Sequence, residues 1–279
     1  MSAITAPSVR TRPFTGRLTQ TRVVLSEWTK LRTLRSTRYA LLASVVLTIG
    51  IAIASGIVNG NRWNSMSHAD QASFDPLARS LDGVTIGQLL IGVLGVLVIT
   101  GEYSTGMIRS TFAAVPRRLP VLWAKAGVYG AVTLALALPS TLIAFFGAQA
   151  FLSGHTVNGH DISLSFSNTG VARAVIGGAL YLTLIGLLGL GIGAILRNTA
   201  AGISALAAVL FVVPAITSLL PASWDNTISP YFPSTAGGAI MQVGHHANTL
   251  APWTGLGVLA AYVAATLVAA AVLLRRRDV

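Results

Sequence analysis

The sequence predicts an all-α integral membrane protein with six transmembrane helices, and three observations carry that prediction. Hydrophobic residues make up 53% of the chain and charged residues only 10%, with a mean hydropathy of +0.70, against about 25% charged in soluble domains. The apolar residues fall in blocks near the length needed to cross about 30 Å of hydrocarbon. Lysine and arginine gather between alternate blocks.

Runs without Asp, Glu, Lys or Arg cover Tyr39 to Val58, Val84 to Thr100, Ala126 to Phe151, Ala174 to Leu196, Ala200 to Leu220 and Trp253 to Leu274. Each crosses the core as a helix rising about 1.5 Å per residue. The second is short and dotted with Gly87, Gly92 and Gly95, but omitting it leaves Leu89 to Ile99 in water. No early apolar region of signal-peptide type precedes the first run, so that span is expected to be retained. Cysteine is absent, which removes thiolate metal sites and disulfides from consideration.

Six spans send alternate loops to opposite sides. One side receives the cations of Arg10 to Arg38, Arg109 to Lys125, Arg197 and Arg275 to Arg277, 16 of the 19 in the chain. The other holds Arg62, Arg79 and Arg173, all five histidines and five aspartates. By the positive-inside rule the first side is cytoplasmic, with both termini on it, as in a multi-pass protein of the plasma membrane. The net charge of +11 thus reads as an orientation signal. No nucleic-acid module accompanies it, and no nucleic-acid partner is expected.

Three units are expected: an irregular cytoplasmic segment over 1–15, a basic amphipathic helix over 16–38, and a six-helix membrane domain over 39–279. In the second, Val24, Leu25, Trp28, Leu31 and Leu34 share one side of a helical wheel, although Arg32 and Arg35 intrude on it. Such a helix lies in the membrane interface among lipid head groups. Between the second and third spans, Ile108, Phe112 and Val115 share a face at spacings of four and three, Pro116 ends that turn and Pro120 opens the next helix. A short cytoplasmic helix is expected there. In the long loop Pro221 to Pro252, the apolar stretch Tyr231 to Val243 is expected to dip into the outer leaflet.

No ionisable side chain falls inside the six runs, whereas proton- or sodium-coupled carriers keep one for the coupling ion. No GxxxxGK[ST] loop occurs, so the chain lacks the means to cradle a nucleotide phosphate itself. His155, His160 and Asp161, or His245 and His246, match no strong zinc spacing, and solvated loop histidines are the favoured reading. No metal ligand and no catalytic residue is assigned. Gly189 and Gly193 form a GxxxG pair, which favours close packing of helices within the subunit.

Several segments carry a family resemblance: EWTKLRTLRSTRYALL at Glu27 to Leu42, TGEYSTGMIRSTFAAVPRRLPVLWAK at Thr100 to Lys125, GLGIGAILRNTAAGI at Gly189 to Ile203, and the terminal LLRRRDV. Together they resemble the permease subunit of actinobacterial type-2 ATP-binding-cassette (ABC) exporters, over nearly the whole chain from Arg22. The resemblance implies a permease that pairs with a second permease copy and sits on separate P-loop nucleotide-binding subunits, which bind ATP and Mg; this chain binds no cofactor itself. It further implies that the loop after the second span is a coupling helix on the ATPase. That assigns Glu102, Tyr103, Gly106, Ile108, Arg109, Phe112, Arg117 and Arg118 to the contact surface, with a local ion pair to Arg109 or Lys125 as the alternative for Glu102. The segment before the first span resembles the family's interface helix, and Tyr231 to Val243 its external gate. Two other readings stand beside export of an amphiphilic or hydrophobic compound: a membrane-embedded enzyme using the outer histidines, and a scaffold or sensor that transports nothing.

Overall fold

The computed structural model describes residues 19–108, 118–157, 160–217, 219, 221–244 and 249–276. Helix α1 (Gln20–Thr33) stops at Leu34, whose backbone is extended at φ −70° and ψ 112°, and α2 (Arg35–Arg62) starts directly after it. The helix expected over 16–38 is therefore shorter at its C-terminal end, and Arg35 to Arg38 belong to the first span. Two short helices follow, α3 (His68–Ala72) and α4 (Pro76–Ser80), capped by the side chains of Ser67 and Asp75. The second span, α5 (Asp82–Ser104), runs a turn beyond the charge-free run because Glu102 is paired rather than solvated.

Helix α6 (Arg118–Leu152) passes unbroken through Pro139, and a two-residue hairpin (Thr156–Val157 with His160–Asp161) leads to α7 (Val171–Leu196). The fifth span joins α8 (Thr199–Ala207) to α9 (Val213–Thr217) through a π turn at Ala208–Val212. That wider turn lies just ahead of Pro214, which has no N–H to offer Leu210 and whose ring crowds that carbonyl. Short helices α10 (Ala222–Ile228) and α11 (Pro233–Gly238) precede the last span, α12 (Pro252–Arg276). Six segments are long and apolar enough to cross a membrane. The chain is an all-α membrane protein.

Helix α7 is the axis of the bundle: 72% of its most apolar window is buried, against 17% for the α8–α9 span and 22% for α12. It packs against α5, α6 and α12. Contact with α5 is parallel and backbone-close, since a Cβ on Gly189 would stand 2.1 Å from the Gly92 carbonyl oxygen and one on Gly95 equally near that of Gly186. The small-residue pair read in the sequence thus packs within the subunit, as small residues do where helices gain nothing from apolar burial against lipid. The stretch Tyr231 to Val243 folds onto the first turns of α7 and α12: a Cβ on Gly177 would meet Ile240, and one on Gly255 the Ala236 carbonyl.

Candidate functional site at the basic end of the bundle

Alternation of the spans brings α1, the turn after α5, the α7–α8 corner and the end of α12 to one end of the molecule. Direct bonds confirm the grouping: Gln20 donates to the Pro120 carbonyl at 3.3 Å, and Arg197 donates to the Leu273 carbonyl at 3.5 Å. Among the described residues every lysine and arginine except Arg62, Arg79 and Arg173 lies at this end or in the helix turns next to it.

Four charges form a closed ring there. Lys125 Nζ, from the first turns of α6, donates to Glu27 Oε2 at 2.6 Å and to Glu102 Oε1 at 2.9 Å. Lys30 Nζ, one turn along α1 from Glu27, donates to Glu27 Oε1 at 2.8 Å and to the same Glu102 Oε1 at 2.9 Å. Glu27, Glu102 and Lys125 are all buried; the Lys30 side chain keeps 24% of its surface exposed. Burial works against the charge on Lys30, yet its bonds to Glu27 and Glu102 outweigh that and hold its ammonium above the ordinary lysine value of 10.5. Glu102 Oε2 is buried and has no hydrogen-bond partner among the described residues.

Taking four charges out of water costs about as much as their mutual attraction returns. The ring therefore acts chiefly on geometry: it clamps α1 to α5 and α6, the two helices that flank residues 105–117. Along α1 the buried positions are Val23, Glu27 and Leu31, spaced four apart. The expected single apolar face is split by this arrangement. Leu31 turns inward with Glu27, while Val24, Leu25, Trp28 and Leu34 are 37% to 57% exposed.

One residue further along α5, the Tyr103 ring faces the other way, with the Arg197 guanidinium 5.4 Å from its centre. Arg197 ends α7 in the left-handed region at φ 54°, a position glycine normally fills. Asn198 then caps α8 by accepting from Ala201 N–H at 3.0 Å. Gly106, at φ 71°, ends α5 with its N–H on the Tyr103 carbonyl.

Of the residues assigned to a partner contact, Glu102 is turned into the subunit, paired with Lys125 as in the alternative reading, and Ile108 is buried at 4% exposure. Ile108 is thus not an exposed apolar position of the subunit. Arg109, Phe112 and Arg117 lie outside the described residues, and Arg118 opens α6. At the opposite end His155 contacts the Leu152 carbonyl at 3.2 Å and the edge of Trp63, and His160 sits in the hairpin. His245 and His246 lie outside the described residues. Among the described residues no group of three or more His, Asp or Glu is placed to hold a metal ion.

Compared with known proteins, the chain matches no protein-family model and no curated protein sequence. The composition supplies its own pointer to the ring. Glu27 and Glu102 are the only glutamates and Lys30 and Lys125 the only lysines in the chain; every other acidic side chain is Asp and every other fixed cation Arg. Hydropathy and wheel projections treat Lys with Arg and Glu with Asp, so that signal passes unseen.

Proposed function

We propose that this chain is the permease subunit of an ATP-driven exporter of the ABC type. Its basic end faces the cytoplasm of the plasma membrane, by the positive-inside rule. Residues 105–117 dock on a separate P-loop subunit that binds and hydrolyses ATP with Mg, and a second permease copy completes the path. The cargo is an amphiphilic or hydrophobic compound, in keeping with spans that offer mainly Ala, Leu, Gly and Val.

The observation that supports this best is the charged ring. Glu102 stands just before the docking segment and Lys125 just after it, and both are bonded to α1. A push on that segment is transmitted at once to α1, α5 and α6, which is what a chain without a nucleotide site of its own requires. The test is affinity purification from the native membrane with identification of the co-purifying ATPase, repeated with variants. Arg109→Glu with Phe112→Ala weakens ATPase binding, and Glu102→Ala abolishes transport-linked hydrolysis, with insertion and permease pairing retained. Replacing His245 and His246 spares both. Full partner affinity and full transport in the loop and Glu102 variants would reduce the segment to a topogenic linker.

A further inference from the structure

At the end of the bundle opposite the ring, a cleft of about 290 Å³ lies between α4, α5, α7 and α11, close to the lower end of the range for small-molecule sites, about 300 Å³. Its polar groups sit at two depths. Asp75 and Asp82 line the mouth; Asp75 is exposed, and the Asp82 side chain keeps 35% of its surface accessible. Each carboxylate has one oxygen engaged: Asp75 Oδ1 accepts from the Leu77 and Ala78 N–H groups, and Asp82 Oδ2 accepts from Ser55 Oγ at 2.6 Å, with Arg79 3.7 Å away. Asp82 Oδ1 has no partner among the described residues and is not one of the polar atoms sealed from solvent. No lysine or arginine lines the cleft. Six residues further along α5, about 9 Å at 1.5 Å per residue, Gln88 is more than nine-tenths buried and forms the floor with Tyr181. The Tyr181 hydroxyl donates to Gln88 Oε1, which leaves the amide nitrogen for the cleft. Gln88 Nε2 has no partner among the described residues, and it too is not sealed from solvent. Between the two levels Leu81, Val84 and Met241 give the cleft an apolar wall.

We infer that this cleft binds a small organic ammonium ion that carries a neutral oxygen at its far end, with a compact apolar body between the two. The ammonium donates to Asp82 Oδ1, Asp75 adds its charge at the mouth, the oxygen accepts from Gln88 Nε2 at the floor, and the body lies against Leu81, Val84 and Met241. Each observation removes an alternative. Two carboxylates without a lining cation repel an anion, and the exposed, long pair of Arg79 with Asp82 offsets little of that charge. A quaternary ammonium has no N–H for the free carboxylate oxygen. A plain hydrocarbon amine displaces water from Gln88 Nε2 and leaves that donor unmet. A bare metal ion faces the amide nitrogen of Gln88 rather than an oxygen. A neutral polyol forgoes the charge-assisted bond, roughly twice as strong as a neutral one.

The test uses the full-length chain alone in phosphatidylcholine nanodiscs, with empty nanodiscs as the blank, and three probes of one ring size: trans-4-aminocyclohexanol, cyclohexylamine and trans-1,4-cyclohexanediol. Dissociation constants are read by isothermal titration calorimetry at neutral pH. The wild type binds the amino alcohol about tenfold more tightly than the diol, the factor for one hydrogen bond to a charged group, and about fivefold more tightly than cyclohexylamine, the factor for a neutral one. Asp82→Asn removes the preference over the diol, and Gln88→Met removes the preference over cyclohexylamine. Asp70→Asn, which takes the same charge from the exposed helix α3 outside the cleft, changes neither. Wild-type affinity for the amino alcohol no greater than for the diol or for cyclohexylamine overturns the inference, as does failure of all three probes to bind. An Asp70→Asn effect as large as that of Asp82→Asn also overturns it, because diffuse negative charge then accounts for the binding. The wild-type comparison needs no variant to fold. Because no ATPase is present, failure here leaves the coupling proposal untouched, and failure of coupling leaves this one standing.

Discussion

Lys125 Nζ sits 2.6 Å from Glu27 Oε2, joining the start of the third span to a helix that precedes the first, across 98 positions of sequence. Both side chains are almost wholly buried. Removing one member of such a pair leaves the other charge uncompensated, and that decides how the ring responds to substitution.

Lys125→Met is expected to destabilise the protein by about 3–5 kcal/mol, because it removes the buried cation and leaves Glu27 and Glu102, both buried, to share the partly exposed Lys30. Lys30→Met costs less, since its side chain is partly exposed and Lys125 still bridges both glutamates. Thermal unfolding midpoints in detergent give the order directly; a larger loss for Lys30→Met contradicts the ring as described.

The Lys30 contribution carries a pH signature. Its ammonium is held above the ordinary value of 10.5 in the fold, so the folded state binds the proton more tightly than the unfolded chain does. That stability is fully present below the unfolded value and is lost as pH rises through the folded one. The gap in unfolding midpoint between wild type and Lys30→Met should stay constant through neutral pH and narrow only at strongly alkaline pH. A gap that closes near pH 7 rules the assignment out.

Gly189→Leu should abolish a monodisperse product, because its side chain has to enter where the Gly92 backbone already stands. Gly127→Ala meets nothing within 4 Å and should raise stability by about 0.5–1 kcal/mol through the helix preference of alanine. Size-exclusion profiles and unfolding midpoints of the two variants check the pair.

At Arg197 the backbone and the side chain pull apart. Arg197→Gly and Arg197→Ala lose the same contacts with Tyr103 and Leu273, but only alanine keeps a Cβ in the left-handed region. The glycine variant should therefore be the more stable of the two by about 1 kcal/mol. Equal unfolding midpoints would show that the α7–α8 corner relaxes out of that conformation.

For the proposed orientation, cysteines placed at Ser2, Arg117 and Val279 should be shielded from an impermeant thiol reagent in intact cells. Those placed at Ser67, Ser163 and Asn226 should react. The chain has no native cysteine to confuse the result, and outside labelling at position 117 would reverse the assignment.

The sequence by itself determined the class of the protein, the number of spans and the sorting of charge between the two ends. These follow from a solvent constraint acting on each segment alone: an apolar run near 20 residues has to leave water, and a backbone in hydrocarbon has to be helical. The GxxxG pair was legible for a similar reason, since only a missing side chain permits such an approach. Tertiary structure alone decided where the charged residues of α1, α5 and α6 point. The wheel places Leu25 and Leu31 together on one apolar side and gives no sign of Glu27, yet Glu27 and Leu31 are buried and Leu25 is 57% exposed. The reason is that the inner side of α1 meets a cation, Lys125, and a carboxylate, Glu102, brought by distant segments, while Lys30 comes from α1 itself. Burial of a charge depends on the partner that arrives, and Lys125 arrives only once α6 has packed.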